Sequence, residues 1–451
     1  MIEEGSINMK AKIVPIYFPG YKDEEFEGQI KSLEGLVGEE AEFLSPIELG
    51  AEIPEDCDGV LFPALMGVAY RSLDKFKAIN KPIMIVTSEF GTVNMWDWEM
   101  IAFLRSHDVE LITPYKLEYT RIALRALALR REMKTAKFVV YQDNPGVPVI
   151  TQQPEINKRF YWWEESWMND LKEHFGITIE VRSYKELAKR AMSIADDEVD
   201  AVIEQKKINY TQLNEKQLRS AVKLYMVLRE AADEDKNIKC IAVNCLNESI
   251  YIDTTPCLAY NLMYEDDDTL WACEADTMTM FTQYIVNRAL KQDVMMTNIY
   301  PVLIGMAALK HERITSFPDV PNPEDTMLLV HCGYMGFAPR KMCSRWEVKP
   351  KVLAMVNDNA MVVDGDLPKG HVTLVKIHPN LKSLLTVEAE LEGYAQYPGS
   401  DCRNGGIVRV KDGHRFINKL YSHHGCFVIG HKNVELKFMA QALGIVTETD
   451  D

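Results

Sequence analysis

The residues of this chain that could do chemistry are few and far apart. In "LWACEADTMTMF" (270–281), Glu274 and Asp276 interrupt an otherwise apolar run. A carboxylate in such surroundings is costly unless it meets a cation, a hydrogen-bond donor or a proton. Asp276 has a local answer, because it stands just before a helical stretch and is a good N-cap residue. Glu274 has none. It reads as a ligand or acid/base group, with one half of a buried salt bridge as the plain alternative. Imidazoles that could join it come much later: His331 ends the apolar "LLVH", and His423, His424 and His431 sit in "YSHHGCFVIGH". His331 alone could be a satisfied core histidine, and His423 and His424 a surface pair beside a turn at Gly425. Neighbours on a strand point to opposite faces, so only one of that pair is expected to face a given site. Glu274 plus two imidazoles suits a divalent transition metal. The spacing is far too wide for HExxH or a zinc finger.

Other reagents are weaker. No G-x-G-x-x-G follows the first strand and there is no Walker loop, so nucleotide binding through those motifs is unsupported. The loops "FPGYKD" (18–23) and "SEFGTVNMWDW" (88–98) follow the first and third strands. Their Glu89 and Trp96 suit a polar ligand with apolar faces such as a sugar; ordinary loops with packed aromatics are the alternative. "DCRNGG" (401–406) is most simply a β-turn, with Arg403 as a candidate anion contact; Lys341 is another.

The elements that must position these groups divide the 451 residues into three parts. Residues 1–135 alternate short apolar strands ("KIVPIYF", "GVLFPAL", "PIMIVTS") with helical stretches, the pattern of a parallel sheet covered by helices. Residues 136–291 repeat it, and "TLWACEAD" reads as a strand whose last residues carry Glu274. In 292–451 the texture becomes short strands separated by Gly, Pro and Asn, a β-rich barrel or sandwich. The expected fold class is therefore α/β, two doubly wound parallel-sheet domains followed by a barrel-like domain.

The net charge of −17 argues against nucleic acid and against anionic membranes. No apolar run is long enough to span a bilayer, and the N-terminus lacks a secretory pattern. Nine cysteines without CxxC spacing favour thiols in a reducing cytoplasm.

Four stretches together resemble the L-fucose isomerase and L-arabinose isomerase superfamily. "TPCLAYNLMYEDDDTLWACEAD" looks like the segment around the family's metal-binding glutamate, here Glu274, and "LVHCG" like the strand bearing a histidine ligand, here His331. "GHVTLVKIHP" resembles a strand of the C-terminal barrel, and "SHHGCFVIGH" the late His-His segment whose second member is a ligand, here His424. The resemblance spans most of 136–446. It implies an aldose–ketose isomerase using Mn²⁺ or another divalent transition metal, an ene-diol mechanism with Glu274 and Asp276 as catalytic groups, and a trimer or hexamer. One departure matters: the family's second acidic ligand aligns within "VMMTNIYP", at Thr297 or Asn298. A non-catalytic sugar-binding or regulatory relative is therefore a rival reading. A third is the same metal site acting on an anionic modified sugar.

Overall fold

The computed structural model describes residues 9–143, 160–207, 212–303, 319–331, 339–350, 360–395 and 405–449. They form two compact units. One comprises Met1–Lys134, Arg288–Lys291 and Val434–Thr447; the other comprises Thr135–Asn287, Gln292–Asn433 and Glu448–Asp451.

The first unit is built on a parallel sheet of β1 (Ala11–Tyr17), β2 (Ala41–Phe43), β3 (Ile47–Glu48), β4 (Gly59–Phe62) and β5 (Ile83–Ile85). Its order is β2–β1–β4–β5, with β3 also on β1. The central strand β4 and its neighbour β5 are apolar throughout because both faces of a parallel sheet are covered; every residue of each is buried. Phe62 stacks on Phe76 at 4.9 Å in the core. Asp23 opens the helix Glu24–Val37 by accepting the Phe26 amide at 3.0 Å. The late helix "NVELKFMAQALG" was expected with the β-rich part, yet Val434–Thr447 belongs here. The reason is packing: Phe438 stacks on Tyr119 at 5.1 Å.

In the second unit, β6 (Lys137–Tyr141), β7 (Thr178–Arg182), β8 (Ile238–Val243) and β9 (Leu270–Ala272) form a parallel sheet in the order β7–β6–β8–β9. The same unit contains the antiparallel strands β10 (Met295–Pro301), β11 (Thr326–Val330), β12 (Arg345–Pro350), β13 (Met361–Asp366), β14 (Gly370–Ile377), β15 (Ser383–Ala395), β16 (Gly405–Arg409) and β17 (His424–Ile429). Among the described residues, strands β12 and β13 pair only with each other. The ladder β14–β17–β10–β11–β16–β15 returns to β14, closing a six-stranded barrel. Closure removes the exposed edges of short strands. Strand alternation fills the barrel with Val372, Leu374, Leu385, Val387, Leu391, Met327, Leu329 and Phe427. It leaves the opposite face of β15 to Glu388 and Glu390.

The parallel sheet and the barrel share one unit because the helix Thr277–Leu290 joins them. Thr282 Oγ1 accepts the Ile377 amide at 3.2 Å, and Cys426 Sγ donates to the Thr279 carbonyl at 3.7 Å. Among the described residues, no helix is long and apolar enough to cross a membrane.

Candidate metal centre

The segment bearing Glu274 is not the strand end that its apolar run predicts. Strand β9 stops at Ala272, and Cys273–Ala275 make one tight 3₁₀ turn. Within it Glu274 (φ 54°) and Ala275 (φ 50°) both take the left-handed conformation. That costs an ordinary residue roughly 1–2 kcal/mol and persists where the surroundings over-determine it. The restraints are visible: Trp163 Nε1 donates to the Glu274 carbonyl at 2.9 Å, and the Asp276 amide to the Cys273 carbonyl at 3.0 Å. Glu274 is thereby held beyond the carboxyl end of a parallel strand, where open α/β sheets bind ligands.

Asp276 is the N-cap that its position predicts. Its Oδ1 accepts the Thr279 amide at 2.8 Å. Its Oδ2 accepts from Thr279 Oγ1 at 2.6 Å and from His424 Nδ1 at 2.8 Å, with Lys376 Nζ at 3.4 Å. Both oxygens are committed and the residue is fully buried. Its job is to orient His424, directing Nε2 of that ring at Glu274, as carboxylates behind metal-binding histidines commonly do. It is not poised to take a proton from a bound molecule.

The barrel supplies the imidazoles through register. Asn298 of β10 pairs with His424 of β17 on one side and Val330 of β11 on the other. His331 follows Val330 directly. The ligand atoms of Glu274, His331 and Cys273 lie within 4.8 Å of one another, as do those of Glu274, His423 and His424. The His331 and His424 ring centroids are 5.6 Å apart. Glu274 is thus brought together with His331 in one grouping and with His424 in another. His423 also comes close: Glu274 Oε2 is 3.6 Å from His424 Nε2 and 3.9 Å from His423 Nε2. Strand alternation does not forbid this, because β17 begins only at His424 and His423 is outside the pleat.

Whether a metal suits these groups can be asked of their hydrogen bonds. Among the described residues, Glu274 Oε2, His424 Nε2 and Asn298 Oδ1 are buried side-chain atoms with no hydrogen-bond partner. Each such atom ordinarily costs about 1–3 kcal/mol, and the two that face each other, on Glu274 and His424, call for a missing group. The 3.6 Å gap between Glu274 and His424 is too long for a hydrogen bond. Two metal–ligand bonds of roughly 2.0–2.2 Å can span it. These buried Cys, Glu and His groups could therefore hold a metal ion.

The electrostatics answer why the chain tolerates Glu274. Burial pushes its carboxyl up, but His424, and then His423 and His331, outweigh burial and hold it at about 2. Asp276 is likewise lowered, against its burial, by Lys376 and His424. Burial disfavours a charged His424, yet Glu274 and Asp276 push it up to about 9. Without metal, the proton on His424 balances the two carboxylates. A raised value means stability that is complete below the ring's free value of 6.5 and lost as pH rises through about 9. In chelator the melting temperature is therefore expected to fall between pH 6.5 and 9, with His424→Gln flattening that slope. Bound metal must displace this proton, so its stabilisation is expected to grow over the same interval. Melting curves against pH, with chelator or with Mn²⁺, check both signs.

The aromatic segment after residue 160 walls the cluster. Trp162 is 5.7 Å from the His424 ring centre, Phe160 is 5.4 Å from that of His423, and Trp167 Nε1 donates to Thr277 Oγ1 at 2.8 Å. The segment's signal in the sequence is three tryptophans within six residues, Trp162, Trp163 and Trp167; sequence reasoning did not single them out. It also passed over Cys273, whose Sγ is 2.8 Å from that of Cys245, and Lys376. Glu89 and Trp96 lie exposed in the first unit, whereas the cluster is built from second-unit residues alone. Arg403 lies outside the described residues. Lys341 is engaged by Asp293 at 2.8 Å.

Asp276→Asn should separate orientation from capping. Asparagine can still cap the Thr279 amide, but it gives His424 a weaker partner and removes the charge facing Lys376. Metal affinity is expected to fall about 10–100-fold, the usual loss for a residue behind a ligand, measured by calorimetric titration. An unchanged affinity would mean that Asp276 only starts a helix.

No protein-family model matches the sequence, and no curated protein matches it.

Proposed function

We propose that this protein is a metal-dependent aldose–ketose isomerase of the fucose/arabinose isomerase type, acting on a small sugar. The observation that carries the reading is that Glu274 stands in two groupings of candidate ligand atoms, one with Cys273 and His331 and one with His423 and His424, drawn from remote segments. Glu274, His331 and His424 would hold the ion, taken here as Mn²⁺ or another divalent transition metal, and Cys273 and His423 flank them. A divalent ion so held supplies Lewis-acid polarisation of a sugar carbonyl. Glu274, kept ionised, is the carboxylate available to move the proton at C2; Asp276 fixes the His424 ring; Trp162 and Trp163 line the cluster and exclude water. The doubly wound form of both α/β parts, a cytoplasmic location, a homotrimer or hexamer, and contacts from Glu89, Trp96 and Arg403 to the sugar belong with the same proposal. So does the absence of nucleic-acid and membrane partners.

Asn298 supports a second reading. It occupies the register position beside His424 where a second carboxylate would serve as acid/base, and an amide cannot take a proton. A sugar-binding or regulatory relative would keep the metal and lose the turnover. An anionic modified sugar is the remaining variant.

The test is to incubate the Mn²⁺-loaded protein in deuterated water with aldoses bearing neutral or anionic tails. The expected result is ketose formation with deuterium entering the exchanged position. Thermal stabilisation by a sugar without exchange or ketose would sink the isomerase and favour the binding protein.

A further inference from the structure

We infer that the barrel carries a second divalent-metal site, formed by His371, Glu390 and His431, independent of the Glu274 cluster and of the isomerase reading. Among the described residues, these three form the only other grouping of potential ligands whose donor atoms lie within 4.8 Å of one another.

Backbone pairing brings them together. His371 of β14 and Glu390 of β15 are direct cross-strand partners, so both side chains stand on one face. Glu390 Oε1 is 3.3 Å from His371 Nε2 and 3.5 Å from His431 Nε2. His431 arrives from β17 through Gly430, whose φ of 94° is open to glycine but strained for other residues. Gly430 donates its amide to the His371 carbonyl at 2.7 Å. Thr373 Oγ1 clamps this turn from both sides, donating to the Gly430 carbonyl at 2.7 Å and accepting the Lys432 amide at 2.9 Å. A second carboxylate stands by: Glu388 Oε1 accepts the Asn433 amide at 3.0 Å, leaving Oε2 3.6 Å from His431 Nδ1.

Two imidazoles and a carboxylate suit zinc, nickel or copper better than calcium or magnesium. The rings stack nearly parallel, 13° apart with centroids at 4.0 Å. Each nitrogen lone pair lies in its own ring plane, so the stack must open for both to face one ion. The His371 side chain is 63% exposed and has the room. Glu390 and His431 also border an open cavity of about 400 Å³, which leaves space for water or a further ligand on the ion.

The two clusters are well separated. His371 and Lys376 mark the two ends of β14, five residues apart, or about 16 Å at a strand rise of roughly 3.3 Å. His424 and His431 bracket β17 in the same way. One pair of strands thus carries a buried cluster at one end and an exposed one at the other.

The experiment is a calorimetric titration of the chelator-stripped full-length protein with Zn²⁺ alone. Two equivalents are expected for the wild type. His371→Asn with His431→Asn should lose one equivalent, or bind it at least 10-fold more weakly, with the melting curve in chelator unchanged. Glu390→Gln should weaken the same equivalent, and Glu274→Gln should remove only the other. Wild-type stoichiometry and affinity in the double histidine variant would overturn the second site. It would leave the Glu274 cluster untouched, because that cluster has its own variant.

Discussion

Glu274→Gln is expected to give a folded protein that no longer takes up a divalent ion at the buried cluster. Glutamine keeps the shape of the side chain, and Asp276 still holds His424 from behind at 2.8 Å. What disappears is the negative oxygen shared by both groups of candidate ligands. At a metal concentration 100 times its Kd, the wild type should gain about 2.7 kcal/mol of stability, a rise of several degrees in the melting temperature. The variant should lose that gain, keeping only what the exposed His371, Glu390 and His431 group contributes, and any isomerase turnover should vanish with it. Melting curves with and without Mn²⁺, together with metal content after dialysis, read this directly. Wild-type metal content in the variant would dissolve the proposed centre, and with it the reason Glu274 is buried.

The second large effect is expected from Asn298→Asp. This residue is cross-strand from His424 and adjoins the strand end that carries His331, and its Oδ1 is buried with no partner among the described residues. Aspartate would put a carboxylate cross-strand from His424, at the position next to the cluster. Two unit charges about 4 Å apart interact by roughly 4 kcal/mol at an effective dielectric near 20, so the metal-free protein should melt lower and retain a proton on the pair. A divalent ion reverses the sign of that balance, and affinity should rise 10-fold or more. If the binding-protein reading holds because this carboxylate is missing, the substitution should also raise proton exchange at the sugar's C2. Should neither the metal-free melting temperature nor the affinity move, Asn298 does not face the cluster.

Much of the architecture was legible in local pattern. The apolar runs at 137–141, 238–243 and 370–377 are strands because continuous or alternating apolar residues have few other uses at that length. Asp276 was legible as a cap because capping is a demand of the residues immediately after it. The boundaries of packing were not. Residues after Val434 belong with the first unit, and the second sheet shares a unit with the barrel, because those associations rest on contacts such as Phe438 with Tyr119 and Thr282 with Ile377.

For the candidate site, the chain by itself determined which groups needed an explanation. A glutamate among apolar neighbours and a histidine ending an apolar strand are anomalies of composition, and they can be seen without coordinates. Only the tertiary structure decided their company. The hold of Trp163 on the Glu274 carbonyl, the His424 contact to Asp276 and the nearness of His423 all come from groups more than 100 residues away. So do the tryptophan wall and the pairing of Asn298 with His424. The physical reason is range. Burial cost and capping are set by residue type and near neighbours, whereas distance and charge between remote side chains depend on strand register, which closes only when the barrel does.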